Sequence, residues 1–228
     1  MMLDGLEDAY DAGRAMGTFA EDAAREYQFT RSNQDDYAIE SLRRANEAIR
    51  TGAFEREIAP VTVVTRKGEE VVSQDEQPGK SNPEKIPNLK PAFAKDGTIT
   101  AANASSISDG AAALVITRQS VADRLGVKPV ARIVGHAAHA QEPAKFTSAP
   151  VPAVRKLLEK AGWSVGDVDL FEVNEAFACV AMIAMRDLDI PHDKLNIHGG
   201  ATALGHPIGA SGARLMATLL SALEKTGG

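Results

Sequence analysis

The sequence predicts an α/β fold in layers, and three observations predict it. Only 5% of the 228 residues are aromatic while 44% are hydrophobic, so Ala, Val, Leu and Ile must fill the core. Ala113-Leu114-Val115-Ile116-Thr117 is an unbroken apolar run of strand length, the pattern of a strand buried on both faces. In the last hundred residues, short apolar runs alternate with stretches of helical periodicity.

Taken in order, the elements begin with a helix. Thr18 and Glu21 have capping-box spacing ahead of Ala23, Ala24 and Tyr27. A second helix starts after Thr30 or Ser32, carries Ala38, Leu42, Ala45 and Ile49 on one face, and stops at Gly52. Val61–Thr65 and Val71-Val72 flank Arg66-Lys67-Gly68-Glu69 as a hairpin. Four prolines between Gln77 and Pro91 predict an irregular, mobile excursion. A short helix from Ser120 to Leu125 ends at Gly126, and Val130 to Val134 reads as a strand. Pro152 lies near the start of a helix that Gly162 stops. Leu170–Val173 reads as a strand, with Asn174 able to cap the helix that follows. A glycine-rich stretch from Gly199 to Gly212 leads into a last helix with Leu215, Leu219 and Leu223 on one stripe.

Composition narrows function by exclusion. The formal charge is −6 and no basic stripe is present, which argues against nucleic-acid binding. No apolar run reaches the length of a membrane span, and Met1 to Gly5 is not a signal peptide. One cysteine, Cys179, excludes an internal disulfide or a cysteine zinc site and points to a reducing, cytoplasmic compartment.

Three segments carry candidate chemistry. In Gly205-His206-Pro207-Ile208-Gly209-Ala210-Ser211-Gly212-Ala213-Arg214, Pro207 keeps His206 extended on a turn just before a helix. Such a histidine can serve as a general base or oxyanion donor, or simply close a turn. The stretch lacks both the P-loop ending and dinucleotide-binding glycine spacing. Asn174, in Asn-Glu-Ala-Phe-Ala, is either a helix cap or a holder of a substrate oxygen or water. Asn103-Ala104-Ser105-Ser106 with Ser108-Asp109-Gly110 contacts a ligand or builds turns. Cys179 lies in apolar company as a buried thiol, and nothing completes a metal site around His136 and His139. His192 reads as solvated, and His198 is placed near His206 without a role.

Together and in this order, these segments resemble the thiolase family from about Leu3 to the end. Asn196, Gly199-Gly200 and Met16-Gly17-Thr18 with Ala20-Glu21 fit the family's pattern as well. The resemblance implies a layered αβαβα core, incomplete here, with an inserted loop domain. Residues 1–104 would be mostly loop domain, 105–126 the end of the first core half, and 127–228 most of the second. It implies acyl transfer between two acyl-CoA molecules and a 3-ketoacyl-CoA plus CoA, through an acyl-cysteine. His206 would activate that cysteine, and Asn174 would hold a water completing the oxyanion site. Ser105, Phe93, Leu6, Met16, Ala176 and Phe177 would line the CoA and pantetheine pocket. No cofactor is implied beyond CoA as substrate and product, and the complete enzyme would be a homo-oligomer.

The departures from the family's pattern are specific. Its nucleophilic cysteine lies upstream of anything matching Met1, and its acid/base cysteine in a Cys-x-Gly-Gly-Gly motif beyond the match to Thr226-Gly227-Gly228. Cys179 occupies neither place, and a histidine often found before Met-Gly-Thr is Ala15 here. Two readings follow: part of a working acetyl-CoA C-acetyltransferase, with degradative 3-ketoacyl-CoA thiolase the runner-up, or an inactive fragment serving as a binding or partner module. Either leaves Ala113–Thr117 without neighbouring strands.

Overall fold

The computed structural model describes residues 5–227, so Leu3 and the Met1–Asp4 start lie outside the described residues. Its elements are α1 (Met16–Glu26), α2 (Arg31–Arg50), β1 (Val61–Thr65), β2 (Gly68–Val72), α3 (Glu76–Lys80), α4 (Gln119–Leu125), α5 (Pro150–Ala161), α6 (Ala178–Leu188), α7 (Ala201–Leu204) and α8 (Ile208–Thr226). Short 3-10 turns at Pro83–Asn88, Pro143–Ser148, Val165–Asp167 and His192–Lys194 join them. Helices dominate.

The largest core cluster surrounds α6. Ala178, Cys179, Ala181 and Ile183 are fully buried, and α1, α2, α5 and the 143–148 turn pack around them. Small side chains let these helices approach closely. Phe19 meets Phe146 edge-on, and Phe146 reaches Phe177, which fills the remaining space with aromatic rings.

Local signals held where local bonds decide. Thr30 caps α2, accepting from the Asn33 N–H at 3.1 Å while Asn33 Oδ1 accepts from the Thr30 N–H at 3.1 Å. α4 and α5 stop at left-handed Gly126 and Gly162. Thr18 and Glu21, in contrast, form no capping box: α1 begins after Ala15, and the Glu21 carboxylate turns inward to accept from the Thr98 and Ile99 N–H groups at 2.8 Å. The Gln77–Pro91 excursion is ordered by Arg31, which donates to the Ile86 and Leu89 carbonyls at 3.0 and 2.9 Å.

The predicted central strands do not form. Among the described residues the only sheet is the antiparallel hairpin of β1 and β2, with Val61 opposite Val72 and Thr65 opposite Gly68. Residues 113–117 and 130–134 have no assigned secondary structure, and Val115 is 100% exposed. A strand exists only through a neighbour that takes its N–H and C=O groups, and among the described residues none pairs with these two runs. The 170–173 run makes one isolated parallel bridge, Phe171 to Leu195. The predicted leucine stripe of α8 is likewise not its buried face. Ala210, Ser211, Thr218, Ser221 and Ala222 are buried, while Leu215, Leu219 and Leu223 are half-exposed. Thr218 and Ser221 dock that face by donating to Glu57 and to the Ala53 carbonyl.

Candidate active site

The loop before α8 and the segment before α6 bring His206 and Asn174 together. Asn174 Nδ2 lies 3.3 Å from His206 Nε2. Asn174 is therefore not the cap of α6: Phe177 takes the N-cap position, three residues on, which frees the amide to face the imidazole. Its Oδ1 is buried without a protein partner.

The other imidazole nitrogen is held from its own helix. His206 Nδ1 lies 2.6 Å from Ser211 Oγ, and Ser211 in turn donates to the Pro207 carbonyl at 3.1 Å. With its hydroxyl proton on that carbonyl, Ser211 accepts from Nδ1–H, and Nε2 is left as an acceptor for the Asn174 amide. The network thus assigns the proton to Nδ1. Burial first, and then the Arg214 guanidinium, hold the imidazole below its ordinary range, so at neutral pH it is uncharged. A neutral imidazole with an available Nε2 lone pair is a competent general base.

A third segment supports both. The His206 N–H donates to the Ser106 carbonyl at 3.2 Å, and the Ser105 N–H and Oγ both donate to the Ala176 carbonyl, at 3.0 and 2.9 Å. Ala104 bridges to Phe177, and the Ala178 N–H donates to the Asn103 carbonyl at 2.8 Å. Residues 103–106 therefore splice the Asn174 segment to the His206 loop. Asn103 itself is structural, donating to Asp35 and the Thr98 carbonyl from a fully buried position. Gly205, at φ +95°, brings the chain so close to Ser108 that a Cβ would collide with its hydroxyl.

The remaining candidate residues adjoin one another, the Phe93 ring lying against Gly17, beside Met16. Phe93 meets Phe177 edge-on at 6.2 Å, and with Ser105 and Ala176 they form one continuous patch. Met16 donates its N–H to the Leu6 carbonyl at 2.9 Å and packs on the main core. Gly5, beside Leu6, lines an open cleft of about 630 Å³ together with residues 108–112 and the 206–210 loop. That volume suits part of a ligand of drug size or larger.

Among the lesser candidates, Cys179 keeps its reading as a buried thiol and His192 does not keep its reading as solvated. Cys179 is fully buried beside the Ala20 carbonyl, and burial pushes its thiol up to about 12, so it is no nucleophile. His192 is not solvated: it stacks on Tyr37 at 5.3 Å, and burial, then Arg44, lowers its affinity for protons. His198 meets the Phe54 ring edge-on and has a buried Nε2 without a partner. No group of three or more metal-ligating side chains occurs among the described residues, and none of their helices is long and apolar enough to cross a membrane.

Sequence reasoning missed Ser211 and Glu175. Ser211 lies in the first turn of α8, five residues after the histidine it fixes, a spacing that a His-Pro turn before a helix makes recognisable. Glu175 is fully buried and accepts from Tyr37, Ser41, Asn196 and Thr202. Its signal is a second carboxylate, three residues after Glu172, inside the Asn-Glu-Ala-Phe-Ala segment and just ahead of the apolar run 176–184.

Comparison with known proteins adds the family. Residues 1–120 match the thiolase N-terminal domain, and residues 127–228 match the thiolase C-terminal domain. A probable acetyl-CoA acetyltransferase of Dictyostelium discoideum is 49% identical over 225 residues, covering 98% of this chain and 54% of that protein. The crystal structure of the Bacillus anthracis acetyl-CoA acetyltransferase superposes with a TM-score of 0.93 at 42% identity, covering 97% of this chain and 56% of that one. Human mitochondrial 3-ketoacyl-CoA thiolase gives 0.90 at 36% identity, covering 100% of this chain and 57% of its own. The chain spans about half the length of the relatives it matches, and its fold is the corresponding part of theirs.

Proposed function

The chain belongs to the thiolase family, and on that premise we propose that it is the base-bearing, CoA-binding portion of an acetyl-CoA C-acetyltransferase. The observation that carries the reading is the 3.3 Å approach of the Asn174 amide to His206 Nε2, with Nδ1 pinned by Ser211. In the complete enzyme His206 takes the proton of a cysteine thiol, which attacks the acyl-CoA carbonyl. The tetrahedral oxyanion then needs oriented donors, and the Asn174 amide beside the imidazole is placed to hold one. Ser105, Ala176, Phe177 and Phe93 line the pantetheine channel, with Leu6 and Met16 at its edge. Residues 1–104 are mostly the inserted loop domain, 105–126 close the first core half, and 127–228 make up most of the second. The reactants are acyl-CoA thioesters, and the complete enzyme is a cytoplasmic homo-oligomer with no further cofactor.

A second reading applies to the chain by itself, and the burial of Cys179 favours it: CoA binding without turnover. Both readings are tested by joining the chain to the portions of the Bacillus anthracis relative that it does not match. The joined protein cleaves acetoacetyl-CoA with CoA, and His206→Ala lowers kcat about 10²- to 10⁴-fold, the contribution of a positioned acid–base group. Asn174→Ala lowers it by about 10²-fold, as for one oxyanion donor. The 228-residue chain shows no thiolysis. Turnover by the chain alone, or an unaffected His206→Ala enzyme, overturns the assignment.

A further inference from the structure

We infer that Glu175 is a positioning residue whose carboxylate locks the Asn174 segment to the loop that carries His206. The inference rests on reading Asn174 and His206 as the acyl-transfer pair, and it deepens that reading.

Glu175 follows Asn174 directly, and its side chain is 0% exposed. Oε1 accepts from the Tyr37 hydroxyl at 2.8 Å and from Asn196 Nδ2 at 2.9 Å. Oε2 accepts from Ser41 Oγ at 2.9 Å, from the Thr202 N–H at 3.1 Å and from Thr202 Oγ1 at 2.7 Å. The five donors come from α2, from the 195–200 loop and from the first turn of α7. α7 ends at Leu204, two residues before His206. One carboxylate thus ties together the segments on either side of the reacting pair. Among the described residues no side chain forms an ion pair with it, and the five hydrogen bonds offset the cost of burying it. The Tyr37 phenol responds as expected, pushed well above its ordinary range by burial and then by the Glu175 charge.

The cradle is specific for a carboxylate. Asn196 cannot turn over, because its Nδ2 also donates to the Val173 carbonyl and its Oδ1 accepts from the Val173 N–H, both at 2.8 Å. The Thr202 N–H is backbone and equally fixed. Each oxygen of Glu175 therefore faces one donor that cannot become an acceptor. A glutamine in either orientation sets its NH₂ against an N–H. Aspartate is a methylene short. Gly200 completes the cradle, since a Cβ there would collide with the carboxylate. Against this, the contact being held is slight: a single 3.3 Å hydrogen bond, at the weak end of the range. It cannot itself fix two loops, and the buried carboxylate can.

The test reads the imidazole, not only stability. The chain labelled with [13C,15N]histidine gives five ring systems, and His206→Asn assigns one of them. In the wild-type chain at pH 8 the Nδ1–H tautomer of His206 dominates. In Glu175→Gln the ratio of Nδ1–H to Nε2–H forms falls by roughly fivefold, the factor equal to one lost neutral hydrogen bond. Ile183→Ala, a fully buried core truncation within α6, which supplies none of the five donors, lowers the melting temperature but leaves that ratio unchanged. Tyr37→Phe, which removes one donor and keeps the ring, moves the ratio in the same direction by less and serves if Glu175→Gln does not fold. An unchanged ratio in whichever of these two variants folds, or an equal change in Ile183→Ala, overturns the inference. Calorimetric titration of the wild-type chain with CoA keeps the two ideas apart. Failure to bind CoA removes the acyl-transfer reading and leaves the imidazole comparison standing.

Discussion

Glu172 shows what a single side chain in this fold pays for its place. Its Oε2 is buried without a partner, and so are both terminal nitrogens of Arg214. Burial pushes the Glu172 carboxyl from 4.5 to about 8, with Arg214 opposing the rise and Glu175 and Glu57 adding to it. The folded chain keeps this proton up to about 8, whereas the unfolded chain releases it near 4.5. Between those values the folded state binds more protons, so stability falls as pH rises through the window. Glu172→Gln removes the titration. We expect it to stabilise the chain by roughly 1–3 kcal/mol at pH 8, to change little near pH 4, and to flatten the slope between. Urea unfolding at several pH values measures this, and a parallel slope in both proteins contradicts it. Gly200→Ala belongs to the same scale with the opposite sign. The new methyl is forced into the Glu175 carboxylate, and we expect a loss of about 1–3 kcal/mol in the same experiment.

At the scale of elements, what could be read from the sequence was what neighbours in the chain decide. The Thr30 cap, the Gly126 and Gly162 stops and the 61–72 hairpin all depend on residues within a few positions. The 113–117 and 130–134 strands depend on pairing partners far away in sequence, and an apolar run cannot report that its partner is missing. The site divides the same way. His206 and Asn174 stand out by motif, while Ser211 and Glu175 declare themselves only when distant donors and acceptors meet. Thr18 and Glu21 had the spacing of a cap, but Thr98 and Ile99, almost eighty residues on, offered Glu21 more. The hairpin is the element with the least tertiary support, every residue from 61 to 72 being exposed. A two-stranded ribbon with no third partner is marginal. Trypsin should therefore cut first after Arg66 or Lys67, and the nicked chain should keep its helical circular dichroism and melting temperature. Loss of helicity on that first cut would mean the hairpin supports α2 or α8.

For the whole molecule, the decisive feature is apolar surface that the chain does not cover itself. Val115, Ile116, Val130 and Ile133 are between 62% and 100% exposed, and the α8 stripe of Leu215, Leu219 and Leu223 is half-exposed. The first four lie outside any assigned helix or strand and expose β-branched side chains. That combination invites strand pairing between copies. The core around α6 is closed and does not depend on these residues. Association and folding should then separate. The chain is expected to form concentration-dependent oligomers in sedimentation velocity. Replacing Val115, Ile116, Val130 and Ile133 by threonine should shift it towards monomer while moving the melting temperature by no more than about 4 °C, because exposed substitutions cost little. A large drop in melting temperature would place these side chains inside a core, and undiminished association would locate the sticky surface on α8 instead.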